Sequence, residues 1–281
     1  MRVLVAGAGW LGSAVANALA ARGDQVIAVR RDPARAAALA APGITPLALD
    51  LSSPGAAAKL PAFDAAVACQ SAGGDTAEAY LAAYVEANWT LLAAAARHGA
   101  GKLVYTGSTG VFGQRDGSLV TEATPPEPAS PSAEVLVEAE RLVRAATDGV
   151  PACLVRFSGL YGPGRSGVLD RVRAGRLALG PDDDAFMNWC HRDDAVALVL
   201  AALDRGQPRA AYHGSDAEPP RRREVVVWIA ERLGLVPTRS ETPGGGPNRR
   251  IDSTWTRQVL GVTLRYPSFR DGLAPLMALA R

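Results

Sequence analysis

The sequence predicts an α/β fold, a doubly wound parallel sheet followed by a small C-terminal lobe. Three observations predict it. The chain opens on an apolar run, Arg2-Val3-Leu4-Val5-Ala6, that passes through Gly7-Ala8-Gly9-Trp10-Leu11-Gly12 into the alanine-rich stretch Ser13 to Arg22. Strand-like and helix-like segments then alternate as far as Phe157. Beyond Phe157 the alternation gives way to a glycine-rich loop over Gly159 to Gly167 and an acidic turn over Gly180 to Asp184. Strands separated by helices imply right-handed crossovers and a parallel sheet covered on both faces.

The opening strand, glycine turn and helix form the context of a dinucleotide-binding fingerprint of Rossmann type. Gly7 permits the tight turn, Gly9 lets the backbone approach a pyrophosphate, and Gly12 lets the helix pack on the strand. Trp10 and Leu11 complete the turn, and the helix N-terminus offers free N–H groups and a positive dipole end to the anion. Further strands are expected over Gln25 to Val29, Thr45 to Leu49, Ala65 to Cys69, Lys102 to Thr106 and Ala152 to Phe157. Helices are expected over Ala34 to Ala41, Asp75 to Arg97 and Val135 to Ala146. Asp193 and Asp194 suit the first turn of a helix over Arg192 to Leu203. A later helix ends near Leu233-Gly234, with glycine as its stop. Pro243 to Pro247 reads as a flexible loop. Residues 1–160 are therefore expected to form the nucleotide-binding domain, with 191–214 returning to it, and the rest of 161–281 the substrate lobe.

Composition narrows the function classes. Hydrophobic residues make up 48% and charged residues 21%, a globular balance, and the net charge of +2 gives no reason to propose nucleic-acid binding. Cys69, Cys153 and Cys190 are widely spaced, which suggests neither a disulfide framework nor a metal site. The apolar N-terminal run is explained by strand plus helix rather than by a signal peptide. No stretch reaches the ~20 apolar residues of a membrane span. A cytoplasmic protein is expected.

The end of the second strand bears on the choice of nucleotide. Asp32 stands 20 residues after Gly12, where an acidic side chain would hold ribose hydroxyls. Asp32-Pro33 also reads as a helix N-cap followed by proline at the first helical position. Arg30 and Arg31 come first, and a guanidinium matches a 2′-phosphate in charge and geometry. NADP(H) is therefore favoured over NAD(H).

A second informative stretch runs Lys102-Leu103-Val104-Tyr105-Thr106-Gly107-Ser108-Thr109-Gly110-Val111-Phe112-Gly113. With the glycine turn, Asp50, Leu160-Tyr161-Gly162-Pro163-Gly164-Arg165, His191-Arg192-Asp193-Asp194-Ala195, Arg265-Tyr266-Pro267 and Asp271-Gly272-Leu273, it resembles the extended short-chain dehydrogenase/reductases, the NAD-dependent epimerase/dehydratase family. The resemblance implies that Ser108 takes the place of the family's catalytic serine or threonine and Asp50 that of the adenine contact. It also marks a departure. The family's Tyr-x-x-x-Lys pair falls on Ser132 and Leu136, and neither can do its work. Ser130-Pro131 reads as an N-cap with proline in the first turn, so Ser132 also reads as a helix-start residue.

Tyr161 is the candidate substitute acid or substrate contact, against the reading of a packed loop aromatic. Ser108 reads as a donor to a substrate oxygen or as a hydroxyl of the nucleotide loop. His191 reads as a structural hydrogen-bonding group more than a catalytic one. Glu134 and Glu138 read as solvated helix charges. The clusters Arg221-Arg222-Arg223 and Arg249-Arg250 suit a phosphorylated or carboxylated small molecule, or solvent. Family members often dimerise through helices equivalent to 75–97 and 132–146, which carry Tyr80, Tyr84 and Trp89, and Leu136 and Val143. The expectation is an NAD(P)-dependent oxidoreductase of the epimerase/dehydratase type acting on a carbonyl or sugar-like substrate with a non-standard proton donor. The alternative is an inactive NADP(H)-binding sensor or scaffold.

Overall fold

The computed structural model describes residues 1–146, 149–243 and 245–279. Gly244, within the loop expected over Pro243 to Pro247, lies outside the described residues. Seven strands form one parallel sheet: β1 (Arg2–Ala6), β2 (Gln25–Arg30), β3 (Ile44–Ala48), β4 (Ala65–Ala68), β5 (Lys102–Ser108), β6 (Ala152–Phe157) and β7 (Ala211–Gly214). Their spatial order is β7-β6-β5-β4-β1-β2-β3. The register pairs Val5 with Ala28 on one side and with Val67 on the other. The order reverses between β1 and β4, where β1 to β3 run outward one way and β4 to β7 the other. Open parallel sheets bind ligands at such a point, beyond the carboxyl ends of the strands.

The strands are apolar throughout because both faces are covered. Successive side chains alternate. Val3, Val5, Val26, Ala28 and Val67 meet Val15 and Leu19 of α1 (Trp10–Ala21) and Leu198 and Ala202 of a later helix, Arg192–Arg205. Leu4, Ala6, Ile27 and Ala66 face the other way, onto Leu91 and Ala94. Asp32 caps the short helix α2 (Pro33–Ala37), its Oδ1 accepting from the Arg35 N–H at 2.8 Å. That is the capping role the Asp32-Pro33 pair predicts. Another short helix, α3 (Ala56–Lys59), precedes β4.

The helix expected to run evenly from residue 75 to 97 is built in three pieces. An α-helical turn, α4 (Ala77–Tyr80), passes into a π-helical stretch over Leu81–Glu86 and then into α5 (Ala87–His98). Along this run Tyr80 and Tyr84 pack on the cluster of Val111, Phe112, Leu136 and Val137. Trp89 alone of the three aromatics faces outward, 64% exposed.

The C-terminal segments form a cluster of their own. Helices α7 (Gly167–Arg173), α9 (Arg222–Leu233) and α11 (Phe269–Leu279) bury Leu169, Val172, Val225, Ile229, Phe269 and Leu273 together. In the chain, α8 (Arg192–Arg205) lies between α7 and α9, and α10 (Thr254–Leu260) between α9 and α11. Two small parallel pairs, Gly159–Tyr161 with Trp189–His191 and Leu119–Val120 with Arg250–Ile251, close the region over the sheet.

The helix α6 (Pro131–Ala145) is tied to the sheet by a buried ion pair. Arg156 on β6 donates from Nε and Nη2 to the two carboxylate oxygens of Glu140, at 2.9 and 2.7 Å. The Arg156 guanidinium, 1% exposed, also lies over the Phe112 ring at 5.0 Å. Removing one partner of such a pair strands the other charge in the core. Glu140→Ala is therefore expected to lower unfolding stability by about 3–5 kcal/mol. Urea unfolding measures this, and Glu140→Leu with Arg156→Leu is expected to recover most of the loss.

Candidate active site

The glycine turn sits at the carboxyl end of β1 and is held by the neighbouring strand. The N–H groups of Gly7 and Ala8 both donate to the carbonyl of Val29, at 3.1 and 2.9 Å. Gly7 adopts φ +75°, and a Cβ there would lie 2.4 Å from the Gln70 backbone. A Cβ on Gly12 would lie 2.3 Å from the Gly7 carbonyl oxygen. Gly9 is different: a Cβ there would meet nothing closer than 3.8 Å, so its small size serves the cleft rather than the packing. Gly7 and Gly9 border a cavity of about 520 Å³. The rest of its wall includes Arg30, Arg31, Asp32, Arg35 and Asp50.

This end carries three guanidinium groups. Arg30 is partly folded back, its Nη1 donating to the Ala8 carbonyl at 3.3 Å. Arg31 is exposed and its Nη2 lies by Gly73. Arg35, which sequence reasoning passed over, is placed here because Asp32 starts the helix that carries it. Asp50 is held by the N–H and hydroxyl of Ser52, which reach Oδ1 at 3.0 and 2.7 Å.

A larger cleft of about 720 Å³ continues past Trp10 and Leu11 to the end of β5. Cys69, Gln70 and Ser71 border both cavities, so the two form one trough. Gln70 donates from Nε2 to Asn88 at 3.0 Å, while its buried Oε1 has no protein partner. An orphaned acceptor costs free energy unless something donates to it. This acceptor, the open space at Gly9 and the three arginines fit a trough that takes a dinucleotide.

Ser108 is on the wall of the larger cleft, its Oγ accepting from the Gly110 N–H at 3.0 Å. Ser132 is elsewhere, at the start of α6, with its hydroxyl 3.1 Å from that of Ser130. Leu136 is buried in the apolar cluster beside Phe112. Neither borders the cleft.

Tyr161 requires a correction. The three-residue strand Gly159–Tyr161 alternates its side chains, so Leu160 faces the cleft and Tyr161 faces away. The Tyr161 hydroxyl donates toward Asp216 Oδ2 at 3.4 Å, in space that Gly272 leaves open. Burial and the neighbouring Asp216 push its phenol above the ordinary range, which makes it a poorer acid. It is a packed aromatic, not a cleft residue. His191 is likewise structural. Its Nδ1 accepts the Asp193 N–H at 3.2 Å and caps α8, and its ring lies 3.8 Å from that of Tyr266. Asp194 accepts the N–H groups of Arg265 and Tyr266 at 2.7 and 2.9 Å. The two short motifs around these residues are therefore parts of one joint.

The basic clusters divide. Arg221 and Arg223 pair with Asp184, at 3.5 and 2.9 Å. Glu138 pairs with Arg141 on the exposed face of α6 at 3.9 Å. Arg222 borders the cleft, bound to Asp182 at 2.9 Å. Arg171 borders the cleft as well, although the sequence offered no signal for it. Arg249 is the unusual one. It borders the cleft yet is only 7% exposed, its Nη2 donates to the Thr109 carbonyl at 2.9 Å, and its Nε has no partner. It makes no ion pair among the described residues. Burial pushes its pKa down. No cluster of metal-ligating side chains occurs among the described residues. None of the described helices is long and apolar enough to cross a membrane.

The parallel sheet, the reversal at β1 and β4 and the glycine turn define an NAD-binding protein of Rossmann class. Residues 3–213 match the NAD dependent epimerase/dehydratase family, and the chain belongs to it. The chain is 30% identical to Protein YeeZ of Escherichia coli (strain K12) over 95% of its own length and 96% of that protein's. It is also 30% identical to the 3-diazoavenalumate denitrifying reductase of a Streptomyces species, covering 97% and 99% of the two chains. Among solved structures it resembles MoeE5 in complex with UDP-glucuronic acid and NAD, with TM-score 0.83, 25% identity and 100% coverage of both chains.

Asp216, the partner of Tyr161, generates a pH prediction. It is buried, one carboxylate oxygen is unpartnered, and burial with the charge of Asp194 raises its pKa well above the carboxylate range. A raised folded pKa means that its contribution is fully present below about pH 4, the unfolded value, and is lost as pH rises through the folded value. Asp216→Asn is therefore expected to melt a few degrees above the parent at pH 8 and to lose this advantage toward pH 4, by calorimetry across that range.

Proposed function

We propose that the chain is an NADP(H)-preferring oxidoreductase that acts on a carbonyl compound bearing a carboxylate or a comparable anion. The observation that carries the reading is Arg249, a buried guanidinium without a counter-ion on the wall that also holds Ser108. Burying an unpaired charge is costly, and an anionic ligand would offset that cost. Arg171 adds positive charge to the same cleft, which Arg222 also borders while paired with Asp182. The reductase relative is named for a carboxylate substrate, and so is the 29% identical 2-alkyl-3-oxoalkanoate reductase of Stenotrophomonas maltophilia.

Gly7, Gly9, Trp10, Leu11 and Gly12 would hold the pyrophosphate with the N-terminus of α1. Asp50 would face the adenine, and Gln70 Oε1 would accept a hydrogen bond from the nicotinamide half. Arg30, Arg31 and Arg35 support the preference for a 2′-phosphate. The bound nicotinamide supplies or accepts a hydride. Ser108 would hold the substrate oxygen and Arg249 the substrate anion, fixing the reacting carbon between them. A homodimer through the 75–97 and 132–146 helices belongs to the same proposal, with Trp89 on the offered face.

Fluorescence titration tests the nucleotide half. NADPH is expected to bind more tightly than NADH, and Arg31→Ala with Arg35→Ala to weaken NADPH by about tenfold or more while changing NADH little. Equal affinities for NADPH and NADH would remove the NADP preference. A panel of keto acids assayed by NADPH oxidation tests the substrate half. Arg249→Met is expected to raise KM for any accepted keto acid by about ten- to a hundredfold, with NADPH affinity unchanged. Binding of nucleotide without hydride transfer to any member would favour the sensor reading instead.

A further inference from the structure

Carbonyl reduction needs an acid at the substrate oxygen, and Ser132 and Leu136 leave the usual place without one. The π-helical stretch beside α6 supplies a phenol. Tyr84 is the one tyrosine among the described residues that borders the larger cleft, which it shares with Ser108 and Gly110. Other O–H groups on that wall belong to serines and threonines, which are far weaker acids. The Cys69 thiol is pushed up to about 12 by burial.

Tyr84 is placed there by an irregularity. It lies within the π-helical stretch Leu81–Glu86, which interrupts an otherwise α-helical run. Such insertions shift side chains out of the α-helical register and occur frequently at functional sites. The ring rests on the cluster that contains Leu136, beside Tyr80 at 5.4 Å. It therefore stands over the α6 face where the family's pair would project. Burial pushes the Tyr84 phenol up, and the charge of Arg165 pulls the other way, more weakly. Arg165 borders the same cleft, stacks over Trp10 at 5.4 Å and makes no ion pair among the described residues.

We propose that Tyr84 is the acid that protonates the substrate oxygen, with Arg165 as the cation that stabilises its phenolate, so that the two replace the absent tyrosine and lysine. The assignment rests on the carbonyl chemistry proposed above. As the carbonyl carbon takes up the hydride that a reduced nicotinamide supplies, the C–O π bond breaks toward oxygen. The Tyr84 O–H bond breaks, a new O–H bond forms on the substrate, and the phenolate then takes a proton from water. Oxidation of the alcohol runs the same transfer backwards. Tyr80, Tyr105 and Arg165 are the titratable neighbours of Tyr84. Burial outweighs Arg165 in the free chain, which keeps the phenol protonated at neutral pH, as an acid must be.

The test labels the tyrosines of the full chain with 13C at Cζ and assigns Tyr84 by its loss in Tyr84→Phe. NADP+, whose nicotinamide ring is cationic, is the probe. Without nucleotide, burial is expected to keep Tyr84 protonated beyond the ordinary phenol range, and bound NADP+ to lower the pH at which it ionises. Arg165→Gln is expected to raise the pH at which Tyr84 ionises both with and without NADP+. On any keto acid the parent reduces, Tyr84→Phe is expected to lower kcat by about 10²–10⁴ while NADPH affinity stays within about twofold. A Tyr84 signal indifferent to bound NADP+, or a Tyr84→Phe variant with parental kcat, would overturn the assignment. Failure of both nucleotides to bind would instead overturn the nucleotide reading on which the proposed function stands.

Discussion

The site depends on one close approach, that of the Gly7 backbone to the Gln70 backbone. No side chain fits between them, since a Cβ on Gly7 would come within 2.4 Å of the Gln70 Cα. This contact joins the turn after β1 to the end of β4, the two strands from which the sheet runs outward in opposite directions. The trough opens there because the crossovers on either side leave in opposite senses. Everything assigned to the nucleotide, from Asp50 to Gln70, is arranged along that opening.

Trp10 extends the constraint to the second half of the molecule. Its Nε1 donates to the Pro163 carbonyl at 2.8 Å, and the guanidinium groups of Arg165 and Arg192 both lie over its ring at 5.4 Å. The first helix of the sheet is thereby fastened to the loop that follows the sixth strand. A ligand at the glycine turn and a ligand at Arg165 would share the same indole, so occupation of one cavity reaches the wall of the other without a long relay.

Two buried arginines show how differently the fold treats charge. Arg156 is satisfied from within by both oxygens of Glu140 and by the Phe112 face, so its cost is met by structure alone. Arg249 is offered a single carbonyl and keeps an unpartnered Nε. The first arrangement anchors α6 behind β5 and β6. The second leaves a desolvated charge with one neutral acceptor, which is the more costly arrangement of the two.

The sequence by itself determined the sheet and its turn. Apolar strands of near-continuous character, glycines at fixed spacing and Asp32-Pro33 as a helix start are local signals, set by backbone geometry and by the burial of both sheet faces. The family motifs were legible for the same reason, since each lies within a few adjacent residues. Only the tertiary structure decided which side chains share the cleft. Tyr161 and Leu160 are neighbours in sequence, yet strand alternation sends them to opposite sides. Tyr80, Tyr84 and Trp89 suit either a dimer face or packing on the sheet, and only the tertiary structure separates them, with Tyr80 and Tyr84 on an apolar cluster and Trp89 exposed. Arg249 and Thr109 stand 140 residues apart and meet where Arg250–Ile251 pairs with Leu119–Val120. Long-range pairings of this kind depend on how whole segments pack, and no short window of sequence contains them.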